Sequence, residues 1–168
     1  MTESMWKGGH DIADRCARIF EDNGLGGPRN MEELVTRVSN ISGKPVMIEP
    51  LGDERWETIT ALWVSYPASD LVLVRATDTH LYRTHCILHE LAHIIYRHPG
   101  CSDLASAEVV QSLISDGATV RGRVVNPQAV RVASERSETI EGEAENLARL
   151  LGRSLLRPRY AAGEKSFG

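Results

Sequence analysis

The chain has 168 residues, 42% of them apolar and 25% charged, with a net charge of −4. This is room for one domain with its own core, and it excludes a chain disordered throughout. The acidic balance argues against coating nucleic acid, and no apolar run approaches the ~20 residues of a membrane helix.

Ile12, Ala13, Cys16, Ile19 and Phe20 follow helical spacing and predict a helix over 10–23, broken by Gly24, Gly26, Gly27 and Pro28. Asn30 with Glu33 three positions on reads as a capping box that opens a second helix through about Val38. Beyond the turn at 42–45 the period changes. Residues 46–51, 58–66 and 71–77 read as strands, the last two as a hairpin around 67–70. Asp78-Thr79 can cap a helix over 81–98, which Pro99-Gly100 stops. Residues 101–137 are the least readable and read as an insertion, in which Leu104, Val109, Leu113 and Ile114 point to a helix over 105–114. Ile140, Ala144, Leu147, Ala148 and Leu151 predict a helix over 138–156, followed by a frayed tail at 157–168. The expected fold is α+β in one domain. N-terminal helices fill 1–44, and a small three-stranded, mostly antiparallel sheet fills 45–77. Two long helices, 78–98 and 138–156, complete it.

Five of the six histidines fall between positions 80 and 98. Within that helix, His89-Glu90-Leu91-Ala92-His93 is an H-E-x-x-H motif. Side chains four apart share a helix face, so two imidazoles can reach one Zn²⁺. The glutamate after the first histidine lies near the metal without ligating it, which suits a general base. Two histidines and a glutamate on a buried helix would otherwise be costly to desolvate.

A catalytic zinc takes three protein ligands as a rule. The third is sought on the helix at 138–156, which offers Glu138, Glu141, Glu143 and Glu145. Glu143 sits beside the inward apolar stripe and is favoured by periodicity, with Glu141 as the alternative.

The run Ile87 to Ile95, with His98 after it, resembles the active helix of the ImmA/IrrE family of zinc metallopeptidases. Glu143-Ala144-Glu145-Asn146-Leu147-Ala148-Arg149-Leu150-Leu151 resembles that family's second signature. The resemblance implies a gluzincin-like fold, His89, His93 and Glu143 as ligands of one zinc ion, and Glu90 as general base. It further implies that a regulatory protein is cut, a helix-turn-helix repressor being the family's common target. Some actinobacterial relatives are toxin-like. The chain departs from the family in Ala92, where Gly is common, and in the fifty positions from His93 to Glu143; no attached helix-turn-helix domain is expected. The substrate is therefore expected to be a separate chain, with no direct contact to nucleic acid or membrane.

Other residues have plainer readings. His85 is one turn before His89 but ~12 Å along the axis from His93, too far to share its ion. It reads as a support residue or a surface one. His98 reads as a cap of the helix C-terminus. Tyr96 and Tyr82 are candidates to stabilise an oxyanion or simply packed aromatics. Cys86 reads as a small hydrophobe. Arg121, Arg123 and Arg131 read as a solvated loop or an acidic-partner site. The strand at 71–77 is expected at the sheet edge, where a substrate peptide could add as another strand. With Cys16, Cys86 and Cys101 in no CxxC pair and no secretory start, free thiols in a reducing cytoplasm are expected. The rival to an enzyme is a non-catalytic module that keeps the metal and sequesters a repressor or antitoxin.

Overall fold

The structure, a computed structural model, describes residues 3–51, 59–99, 119–124 and 135–157. In chain order its elements are α1 (Glu3–Asp22), α2 (Met31–Ser42), β1 (Val46–Leu51), β2 (Ile59–Ser65), β3 (Asp70–Arg75), α3 (His80–Tyr96), β4 (Thr119–Val124) and α4 (Glu135–Leu155). The class is α+β, with the N-terminal helices where they were expected. No helix among the described residues is long and apolar enough to cross a membrane.

Local chemistry accounts for the helix ends. The Asn30 side chain accepts the Glu33 N–H at 2.9 Å. Glu33 reaches back to accept the Arg29 N–H at 2.8 Å, one residue earlier than a capping box requires. α2 stops at Gly43, which is left-handed at φ 78 and returns its N–H to the Ser39 carbonyl. Thr79 caps α3 by accepting the Tyr82 N–H, and Asp78 beside it pairs with Arg75 at 2.7 Å.

The sheet differs from expectation. Its order is β1-β3-β2-β4. The β2–β3 hairpin is antiparallel as predicted, but β1 lies outside β3 and runs parallel to it, so the sheet is mixed. A side-chain knot explains the register. Lys44, just before β1, donates to Asp70 at 3.0 Å, to Ser65 at 2.8 Å and to the Tyr66 carbonyl at 2.9 Å. The start of β1 is thereby pinned beside the start of β3. Asp70 is 1% exposed and also accepts from the Trp63 indole at 3.0 Å.

The fourth strand, β4, falls inside the stretch read as an insertion and pairs antiparallel with β2. The rest of 101–118 and 125–134, with Cys101 and Arg131, lies outside the described residues, as does the tail from 158. β3 is therefore a central strand. The outer strands are β1 and β4, and the edge position expected for 71–77 is corrected.

Ala61 and Trp63 of β2, with Val72 and Val74 of β3, project from one sheet face into the core. α3 packs on that face and on α2, and α4 packs on α3 and α1. Leu34 and Val38 of α2, Cys16 of α1, and Ala144, Leu147, Ala148 and Leu151 of α4 close the same core. From Cys86 to Ile95 every residue of α3 is buried. A helix covered all round carries its polar side chains into the interior, where each requires a partner.

Candidate metal centre

Three of the interior side chains of α3 are His89, Glu90 and His93, none more than 2% exposed. The one-turn spacing brings the two imidazoles together: His89 Nε2 and His93 Nε2 are 3.0 Å apart. The third member comes from α4. Glu141 Oε2 lies 3.1 Å from His89 Nε2, and Glu141 Oε1 lies 3.7 Å from His93 Nε2. One ligand atom from each of the three falls within 4.8 Å of the others, so the group could hold a metal ion.

Hydrogen-bond logic tests the fit. A carboxylate only accepts, and a neutral imidazole carries one proton. Glu145 Oε2 lies 3.5 Å from His89 Nδ1, an ion-pair distance without hydrogen-bond geometry. His93 Nδ1 lies 2.8 Å from His98 Nδ1, which engages that side of the second ring. With its proton on Nδ1, His89 would present its Nε2 lone pair beside that of His93 and a carboxylate oxygen of Glu141. A cation satisfies all three at once, whereas a single proton satisfies one contact. Two nitrogens and an oxygen suit Zn²⁺, and an N/O donor set also accepts other divalent ions. The Glu141 side chain is 47% exposed, so water reaches the trio from its side.

The structure places the glutamates of α4 in three different roles. Glu141, the alternative on periodicity, is the one that meets the histidine pair. Glu143, favoured on periodicity and by the resemblance, is buried one layer behind. Its Oε2 accepts from His98 Nε2 at 2.9 Å and its Oε1 pairs with Arg15 at 2.7 Å. Glu145 stands between His85, 3.4 Å away, and His89, and also accepts from Arg149 at 3.1 Å. Among the described residues, His85 meets the site through Glu145. Glu90 is buried beside His89 at 1% exposure.

His98 is the residue that sequence reasoning under-read. Its backbone does finish the helix, donating to the His93 carbonyl at 3.0 Å, while Arg97 donates to the Ile94 carbonyl at 3.0 Å. Arg97 is left-handed at φ 54. This pair of bonds is the Schellman arrangement, which turns the second residue past the helix back onto the third from its end. Here those two residues are His98 and His93. The signal was present in the five-residue spacing of the histidines followed by Pro99.

Tyr96 stacks on His98, ring centroids 4.9 Å apart and planes within 2°. Burial, followed by the neighbouring Cys16 and Glu143, pushes its hydroxyl well above the ordinary tyrosine range. Burial likewise raises the Cys16 thiol, with the Tyr96 hydrogen bond opposing and Glu143 adding to the rise. Tyr96 is therefore a packed aromatic facing α1. Cys86 is buried on α3 and forms no disulfide among the described residues. Beside His85, a groove of 640 Å³ runs between α3 and α4, lined by Leu81, Tyr82, Leu88, Ala148, Arg153 and Leu156 among others.

Comparison with family models, with curated proteins and with solved structures returns no match to this chain.

Proposed function

We propose that the chain is a zinc-dependent peptidase whose ion is held by His89, His93 and Glu141. The observation that carries this reading is the convergence of two buried imidazole nitrogens and one solvent-facing carboxylate. A trio of ligands with water access suits a catalytic zinc better than a structural one, which takes four protein ligands. When bound, the ion would polarise a peptide carbonyl and make water a nucleophile at neutral pH. Glu90, buried next to His89, is the base that takes the proton and passes it to the leaving amine.

The substrate we propose is a separate regulatory protein of the helix-turn-helix kind, on the strength of the resemblance to ImmA/IrrE peptidases. The apolar groove beside His85 supports a peptide substrate, since it offers a seat for a large apolar side chain within one helical turn of the trio.

Replacing Glu90 by Gln separates chemistry from metal binding. Zinc-loaded wild type and Glu90→Gln are incubated with a mixed-sequence peptide library, and new termini are read by mass spectrometry. Wild type should cut, and Glu90→Gln should hold the same zinc and cut at least about 100-fold more slowly. Equal cutting by both would overturn the assignment of the base. No cutting by either would favour the non-catalytic module.

A further inference from the structure

We propose that His98 and Glu143 form a positioning relay for His93, anchored by Arg15, and that Glu143 serves the metal through this relay and not as a ligand. The inference rests on the metal-site reading above.

Three elements converge on one ring nitrogen. Glu143, on α4, can only accept, so the 2.9 Å contact fixes the His98 proton on Nε2. In neutral His98, Nδ1 is then a lone pair, and the 2.8 Å contact to it places the His93 proton on Nδ1. His93 Nε2 is left with its lone pair, 3.0 Å from His89 Nε2 and aimed at the trio. The chain of contacts therefore selects the tautomer of His93 that can bind a cation. Support of this kind is what orients ligating histidines elsewhere.

The relay is rigid for reasons visible in the fold. The Schellman turn at Arg97 brings His98 back onto His93. The Tyr96 ring holds the His98 plane. Arg15, reaching from α1, grips the other oxygen of Glu143 at 2.7 Å. His98 and Glu143 side chains are 6% and 5% exposed, so water does not compete for these bonds. Glu143 has both oxygens engaged away from the trio, and Glu141 Oε2 lies against His89 in its stead.

The test measures metal affinity of the full chain, independent of any cleavage. Zn²⁺ affinity is taken from competition with a chromophoric chelator, and the ligand set is read from the visible absorption of the Co²⁺ form. His98→Leu should weaken Zn²⁺ binding roughly 10- to 100-fold, the range for lost support of a ligand. His98→Gln should recover most of that loss, because an amide can accept from His93 and donate to Glu143. Glu143→Gln should weaken binding about 10-fold and leave the Co²⁺ bands where wild type has them. Loss of binding in Glu143→Gln with displaced Co²⁺ bands would make Glu143 a ligand and overturn the relay. Unchanged affinity in both His98 variants would overturn it too. Should wild type bind no Zn²⁺ at all, the metal-site reading itself fails, an outcome distinct from either.

Discussion

His93 Nδ1 lies 2.8 Å from His98 Nδ1, and that contact turns the opposite nitrogen of His93 toward His89. One contact from the second residue past a helix end thus organises a pair buried in the middle of the helix. If the pair holds a metal, folding and metal binding are linked, because the unfolded chain has no preformed site. Zn²⁺ at about 100 times its dissociation constant should add about 2.7 kcal/mol. For a chain of this size that is roughly 5–10 °C in melting temperature. Calorimetry with and without a chelator checks it, and His93→Ala should lose the shift entirely.

Arg97 occupies a left-handed conformation, φ 54, that an L-residue enters at a cost of ~1 kcal/mol. Arg97→Gly should remove that strain and stabilise the protein by about 0.5–1 kcal/mol, less the 3.4 Å bond to the Ile41 carbonyl. Zn²⁺ affinity should stay at the wild-type value, since the turn that places His98 is kept. Urea unfolding and chelator competition measure the two quantities separately.

Asp70 joins Lys44 and Trp63 at the start of the parallel β1–β3 pair. Asp70→Ala should cost about 2–4 kcal/mol, because it leaves the Trp63 indole N–H without its acceptor and takes the carboxylate from Lys44, which keeps Ser65 and the Tyr66 carbonyl. Lys44 is partly solvated, which keeps the figure below that of a fully buried pair. The loss is read from the denaturation midpoint, and Lys44→Met should cost less than Asp70→Ala.

Alkaline pH probes the contact between α1 and α3. The folded state holds the Cys16 thiol above its ordinary 9.0 and the Tyr96 hydroxyl above its ordinary 10.0, in both cases mainly through burial. Both groups are neutral when protonated, so the folded chain keeps protons that the unfolded chain releases. Stability from these groups is complete below pH 9 and falls as pH rises past it, more steeply past 10. Melting temperature followed from pH 8 to 11 should show this decline, and Tyr96→Phe should flatten its upper part.

Much of the architecture was readable from periodicity and punctuation. The helices at 10–23, 30–38, 81–98 and 138–156 announce themselves by apolar spacing and caps, and the β2–β3 hairpin by its branched residues around a short turn. The parallel placement of β1 was not readable, because it depends on Lys44 reaching Asp70 across 26 positions. β4 was missed because Thr119–Val124 alternates polar and apolar residues too briefly to stand out from its surroundings. At the site, H-E-x-x-H marked the histidine pair at once. Periodicity favoured Glu143 over Glu141, and only the contacts of each carboxylate put Glu141 against the histidine pair and Glu143 against His98.

We propose that His89, His93 and Glu141 hold one divalent ion. Native mass spectrometry of the chain, purified with zinc and dialysed, counts bound ions directly. Wild type should carry one Zn²⁺, and Glu141→Ala, dialysed alongside, should retain little or none. Wild type free of zinc, or Glu141→Ala holding its ion as firmly as wild type, would contradict the account.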